Sequence, residues 1–411
     1  MSDRTGRTVC IKCKGGFGPP ALFVRKDDPP LCKTCFQAGC MHKFRSSFGK
    51  ANIIRNREAV ALAFSGGSSS LAMLNLAKMC QAETETRKLR FDPTVVCLYD
   101  VGQKYPEKQE EAMKDAGFEY RIVRTDEIPF TKKNCNFDGS TRITNSTLTA
   151  AEEMLRWQRL QQLMTYTSGV LGYKYLLVGD NASQLAVHCL AGIAQGRGGT
   201  VATELGFADT RYNEVTVLRP MYNFLAKEVA LFLHFAGLDA VVETSLTARQ
   251  NLVYGPGVNS IQRLTQDFID SLQFAGYPST TMAVLNAVSR TLSSDNTSDQ
   301  YCTVCYAPIP CPDRENDSEE TVTALSAYEF SARISRNSQT DCSSASPLSF
   351  PPPASPTLCS CCLSNRTELQ RAVLDLRNLV PVKRSSHNLH YPMKPSITTF
   401  CCQYFVFFFG F

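Results

Sequence analysis

Residues 59–64, Ala-Val-Ala-Leu-Ala-Phe, form a short unbroken apolar run that Ser65-Gly66-Gly67 ends abruptly. A run this short, apolar at every position, fits a strand buried on both faces, as in a parallel sheet covered by helices. Directly after the break, residues 69–80 carry Leu71, Met73, Leu74, Leu76 and Ala77 at helical spacing. The pattern then recurs. Residues 94–99 predict a second strand, 106–116 a charged helix with proline in its first turn, and 120–123 a third strand. Thr149 with Glu152 three residues on predicts the N-cap and capping box of a long helix. Residues 175–178 read as a fourth strand ending at Gly179-Asp180, and 183–191 as a helix. Strands alternating with helices imply right-handed βαβ units and an α/β fold with a mostly parallel sheet. Ligands of such sheets bind at the carboxyl ends of the strands, where residues 65–70 and 179–181 would both lie.

Four regions follow: a cysteine-rich segment 1–45, the α/β domain 46–295, a region 296–366, and an atypical tail 367–411. Residues 313–358 inside the third are rich in Ser, Thr, Asn and Pro and predict a disordered insert. The tail has one short amphipathic stretch, 367–379, and ends in an aromatic run, 399–411, too short to span a bilayer. With 43% hydrophobic and 20% charged residues the chain reads as globular, and a net charge of +5 permits an RNA partner without arguing for one.

The 18 cysteines say more. Residues 1–10 are polar and lack the apolar stretch of a secretory signal, which predicts a cytoplasmic chain with reduced thiols and no membrane partner. Paired cysteines then read as metal ligands. Cys10-x-x-Cys13 and Cys32-x-x-Cys35 stand eighteen residues apart, the spacing of a four-cysteine zinc ribbon. Cys302-x-x-Cys305 and Cys359-x-x-Cys362 flank the insert and predict a second, split zinc site; closing so long a loop costs only slightly more than closing a short one. Cys40 and His42 are read as non-ligands, and Cys311, Cys361, Cys401 and Cys402 have no assigned role.

Ser65-Gly66-Gly67-Ser68-Ser69-Ser70 joins the first strand to the first helix, where glycines let backbone amides approach an anion and a helix N-terminus adds partial positive charge. A plain glycine-rich turn is the competing reading. The segment resembles the Ser-Gly-Gly-x-Asp-Ser pyrophosphatase loop of the PP-loop ATPases (adenine nucleotide alpha hydrolase-like fold). Serines at 68 and 69 stand where that family often has lysine and has aspartate. Ser183 and Gln184 likewise replace the acidic pair of the family's second landmark, here Gly179-Asp180-Asn181-Ala182-Ser183-Gln184. Without the cation and carboxylates that manage ATP and Mg²⁺, the loop 65–70 is expected to keep backbone binding of an anion such as the phosphates of ATP but to lose adenylating power, and no catalytic residue is assigned. The family's sulfur-handling cysteines also have no counterpart: Cys135-Asn136-Phe137-Asp138 ends in aspartate, and Ser245 falls near the second cysteine's place.

Together with Cys10-Ile11-Lys12-Cys13, Cys32-Lys33-Thr34-Cys35, Gly196-Arg197-Gly198, Gly206-Phe207-Ala208-Asp209, Arg219-Pro220-Met221 and Ser260-Ile261-Gln262-Arg263-Leu264, these features resemble the cytoplasmic tRNA 2-thiolation protein 2 family. The resemblance implies a heterodimer with a catalytic PP-loop thiolase subunit. It further implies action on the wobble uridine of tRNAs for Lys, Glu and Gln, with sulfur from a ubiquitin-related thiocarboxylate carrier. From residue 40 to 57 there is no acidic side chain, while Lys43, Arg45, Lys50, Arg55 and Arg57 are basic; Lys12, Lys14, Arg25, Lys26 and Lys33 join them. These residues, with Arg197, are the candidate tRNA contacts; a solvated helix face is the bland alternative. Two other functions compete: a self-sufficient ATP-dependent tRNA sulfurtransferase, and a zinc-dependent RNA-binding adaptor without nucleotide binding.

Overall fold

The computed structural model describes residues 9–14, 28–54, 57–82, 91–100, 104–128, 148–212, 214–238, 260–277, 279–290, 301–302, 304–308, 359 and 362. The expected insert 313–358, the stretch 367–379, the tail 367–411, Arg25, Lys26, Arg55, Cys135, Ser245, Cys311, Cys361, Cys401 and Cys402 lie outside them.

The apolar run forms β1 (Glu58–Ala63), and the next segments give β2 (Phe91–Tyr99), β3 (Glu119–Arg124), β4 (Tyr175–Leu177), β5 (Ala208–Asp209) and β6 (Thr216–Leu218). They make one sheet in the order β3-β2-β1-β4-β6-β5, parallel except for the antiparallel edge strand β5. Val60, Ala61 and Leu62 pair with Tyr175, Leu176 and Leu177. Strand order runs outward from β1 to β3 and then restarts on the other side at β4. A crevice therefore opens between the carboxyl ends of β1 and β4, the switch point where such sheets hold ligands.

Alternation along the strands divides the core. Val60, Leu62, Val95, Leu177 and Leu218 point to one face, under helices α1 (Lys33–Ala51), α2 (Ser68–Gln81), α3 (Glu107–Ala116) and α7 (Ala226–Ala236). Ala61, Val96, Leu176 and Val217 point to the other, against Leu163, Met164 and Tyr166 of α4 (Leu148–Gly169). Helices α5 (Ala182–Ala194) and α6 (Gly198–Leu205) pack with α8 (Ile261–Phe274) and α9 (Thr280–Ser289) around Leu185, Cys189, Ile269 and Leu285.

Two expectations are corrected. The boundary placed at residue 45 falls inside α1, whose Phe36, Cys40, Met41 and Phe44 belong to the same core as β1; a helix burying that many apolar groups in the sheet's core cannot belong to a separate unit. Thr149 lies within α4 rather than capping it, and its hydroxyl accepts from the Ile261 amide at 2.9 Å, tying the start of α8 to the first turn of α4. Among the described residues, no helix is long and apolar enough to cross a membrane.

Candidate functional site

The loop after β1 closes on itself. Gly66 takes a left-handed φ of 79°, which favours glycine, and a Cβ there would press on the movable Gln109 side chain of α3 at 2.8 Å. Ser65 Oγ and Ser70 Oγ lie 3.1 Å apart, and Ser70 Oγ also donates to the Gly67 carbonyl at 3.0 Å. Ser69, buried, accepts a 2.6 Å hydrogen bond from Asn181 Nδ2. Ser68 is the exposed member of the set.

Across the crevice, Asn181 caps α5. Its Oδ1 accepts from the Gln184 amide at 3.0 Å, and Gln184 Oε1 accepts from the Asn181 amide at 3.1 Å, a reciprocal capping box. Ser183 Oγ accepts from the Ala226 amide at 3.1 Å. Ser183 and Gln184 thus both serve to hold backbone groups together. Gly179 explains how near the two segments come: a Cβ on it would meet Ser70 Cα at 2.9 Å and Ser70 N at 3.0 Å. Both carboxylates that follow β2 and β4 are bound by arginine, Asp100 to Arg159 at 2.6 Å and Asp180 to Arg219 at 3.2 Å.

Each cysteine quartet assembles. The sulfurs of Cys10, Cys13, Cys32 and Cys35 lie within 4.8 Å of one another, as do those of Cys302, Cys305, Cys359 and Cys362, and each group could hold a metal ion. The two are built alike. In the first pair of each, an amide closes a turn on the leading cysteine: Lys14 N to Cys10 O at 2.8 Å, Tyr306 N to Cys302 O at 2.9 Å. Both closing residues have left-handed φ, 50° and 57°. In the second pair an amide reaches the leading sulfur at 3.4 Å, Cys35 N to Cys32 Sγ and Cys362 N to Cys359 Sγ. Cys32 is the N-cap of α1. This second pair therefore begins a helix, which refines the expected ribbon.

The Cys13–Cys32 and Cys305–Cys359 sulfurs stand 3.7 and 3.6 Å apart. Tetrahedral zinc with Zn–S near 2.3 Å requires about 3.8 Å. A cubane cluster, which takes each thiolate at a separate corner, spreads its ligands more widely. The Cys13 amide and its neighbours pull the Cys10 thiol down to about 6, while burial pushes Cys35 up to about 12. Four packed thiols cannot all ionise unless a cation balances them.

The basic residues divide. Lys50 and Arg57 are exposed, as are Lys12, Lys14 and Lys33, and Arg45 is half-buried. Lys43 is corrected: its ammonium lies 2.8 Å from Glu228 on α7 and over the Phe224 ring, so its charge is internally satisfied. Arg197 is corrected more strongly. It is 4% exposed, pairs with Glu153 at 3.1 Å and Glu204 at 3.2 Å, and stacks on Trp157. Arg156 completes this buried network through the same two glutamates. Burial opposes ionisation of Glu204, but Arg156, Arg197 and Arg211 overcome it and hold the carboxyl far below its usual range.

Sequence reasoning quoted Arg219 and Asp209 only within the resemblance and gave no role to Arg219, which is 1% exposed and also donates to the Gly206 carbonyl at 3.1 Å, or to the Asp209–Arg211 pair. The capping box was legible in principle, since Asn181 precedes Gln184 by three residues.

Strand order, switch-point loop and helix arrangement define a nucleotide-binding-type α/β domain, and residues 40–250 match the PP-loop domain family, to which the chain belongs. Residues 260–364 match the model of cytoplasmic tRNA 2-thiolation protein 2. It is 28% identical to the zebrafish (Danio rerio) protein of that name over 67% of this chain and 65% of that one. It is 26% identical to the bovine (Bos taurus) protein over 79% and 75%. The chain therefore spans just under two thirds of the zebrafish relative's length. Among solved structures, the U34-tRNA thiolase NcsA from Methanococcus maripaludis with its [4Fe-4S] cluster shares the fold, with TM-score 0.53, 18% identity, and coverage of 73% of this chain and 96% of that one.

Proposed function

We propose that the chain is a cytoplasmic, non-catalytic subunit of a tRNA 2-thiolation complex. It binds tRNA and supports a catalytic PP-loop subunit that thiolates the wobble uridine of tRNAs for Lys, Glu and Gln. The sulfur comes from a ubiquitin-related thiocarboxylate carrier. The observation that carries this reading is the closure of the phosphate loop: Ser65 and Ser70 engage each other, and Ser69 holds Asn181. The carboxylates that follow β2 and β4, Asp100 and Asp180, are arginine-bound, which argues against their managing a metal–pyrophosphate.

Both cysteine quartets hold structural zinc in this reading. The exposed cations Lys50, Arg57, Lys12, Lys14 and Lys33, with Arg45 and with Arg55 outside the described residues, supply tRNA backbone contacts.

The test combines the full chain, the catalytic PP-loop subunit, carrier, ATP and substrate tRNA, reading thiolated tRNA by mercury-gel retardation and pyrophosphate release. Product should form only when both subunits are present. Robust turnover by the chain alone would make it a self-sufficient sulfurtransferase and sink the proposal. The same loop closure favours a second reading, an RNA-binding adaptor that holds no nucleotide. Calorimetric titration with ATP decides it, because appreciable affinity excludes the adaptor.

A further inference from the structure

Asp209 ends β5 fully buried, and Arg211 follows two residues later at 6% exposure. Their pair is bidentate, Nε to Oδ1 at 2.8 Å and Nη2 to Oδ2 at 2.7 Å. The remaining nitrogen, Nη1, reaches out from the sheet edge and donates to the Cys305 carbonyl at 3.3 Å, 94 residues along the chain. Next to it, the Tyr212 ring lies 4.7 Å from Tyr306, whose ring stacks on Tyr301 at 5.8 Å. Residues 209–212 thus grip the first turn of the distal cysteine site through a charged hydrogen bond and an aromatic contact.

Burying a bidentate ion pair carries a desolvation cost, and its return is geometric: the fork fixes the direction of the third donor edge. The Arg211 charge is already matched by Asp209, so what it offers the cysteine loop is a fixed donor direction, Nη1 aimed at the Cys305 carbonyl. The contact also joins the two regions that match different families. Asp209 and Arg211 lie in the general PP-loop span, and Cys305 in the span specific to tRNA 2-thiolation protein 2.

We propose that Arg211 is a positioning residue for a metal ion in the distal cysteine site, and that the loaded site fastens the family-specific region to edge strand β5. The proposal rests on the reading that the distal cysteines hold a metal. It goes beyond that reading in naming the residue outside the quartet that holds it in place.

The test uses the full chain loaded with zinc, following zinc release to a chelating dye. The unmodified chain should release two equivalents, and Cys302→Ser should hold one. Arg211→Met should release one equivalent at least tenfold faster and leave the other unchanged, with Arg211→Lys between. In the Cys302→Ser background, Arg211→Met should leave zinc release untouched and lower the melting temperature less than in the loaded chain. If both equivalents leave Arg211→Met at unmodified rates, the proposal is overturned. An equal drop in melting temperature in both backgrounds would overturn it too, because Arg211 would then be a general structural residue. An unmodified chain with one equivalent that Cys302→Ser retains sinks the distal metal itself, a failure distinct from that of Arg211. Should Arg211→Met not fold, Arg211→Lys, which keeps the charge and loses the fork, is read by the same criteria against the unmodified chain.

Discussion

Asn181 Nδ2 donates to Ser69 Oγ at 2.6 Å across 112 residues of chain, joining the first turn of α2 to the cap of α5. Both groups are buried, at 3% and 6% exposure. One amide therefore caps a helix through its oxygen and braces the phosphate loop through its nitrogen. Ser69→Ala should leave that nitrogen without an acceptor, at a cost of about 1–3 kcal/mol. The measurement is denaturant unfolding, and an unchanged midpoint would contradict the brace.

What the sequence made legible was what local pattern encodes. The strand read at 59–64 is β1 at Glu58–Ala63, and the helix read at 69–80 is α2 at Ser68–Gln81. Both rest on apolar periodicity within a dozen residues. Metal-ligand spacing is equally local, so each cysteine pair was visible. What joins pairs of charges is not. Lys43 meets Glu228 at a separation of 185 residues, and Arg197 meets Glu153 across a helix packing that no spacing announces. A basic side chain in a polar context reads as solvated until its buried partner is placed, and so both read as RNA contacts. The two-residue edge strand β5 was too short to produce a pattern at all.

Gly179 is constrained by what faces it. An added Cβ would stand within 3.2 Å of three backbone atoms of Ser69 and Ser70, and backbone yields less easily than a flexible side chain. Gly179→Ala should therefore push the β4–α5 turn away from α2, at roughly 1–3 kcal/mol for an overpacked site. It should also expose the amide of Ser70 to faster hydrogen exchange. Wild-type exchange there would show that the two segments are not pressed together.

His188 lies beside the buried arginine–glutamate network, with its Nδ1 shut from solvent and lacking a partner among the described residues. Burial, reinforced by the charge of Arg156, lowers its pKa from 6.5 to about 4. The unfolded chain then binds more protons than the folded one between those values. The contribution of neutral His188 is complete above pH 6.5 and is lost as pH falls toward 4. His188→Gln should flatten the stability-versus-pH curve in that window relative to the unmodified chain. Identical slopes from pH 6.5 to 4 would show that the imidazole titrates as freely folded as unfolded.

Lys43 and Lys50 sit on the same helix and separate structure from binding. Lys43 stands 2.8 Å from Glu228, which also accepts a 2.8 Å bond from the Leu225 amide, so the lysine braces the start of α7 against α1. Lys50 is exposed in the last turn of α1, and Arg57 is exposed just before β1. Lys43→Met should lower the denaturation midpoint, because it leaves a largely buried carboxylate uncompensated. It should leave the salt dependence of tRNA binding unchanged. Lys50→Ala with Arg57→Ala should do the reverse, weakening tRNA binding and reducing the slope of log affinity against log salt by about 0.7–0.9 for each phosphate no longer neutralised. Filter binding from low to moderate salt, beside urea unfolding of each variant, measures both. A reduced slope for Lys43→Met, with no change for the double variant, would move the tRNA off this face of α1.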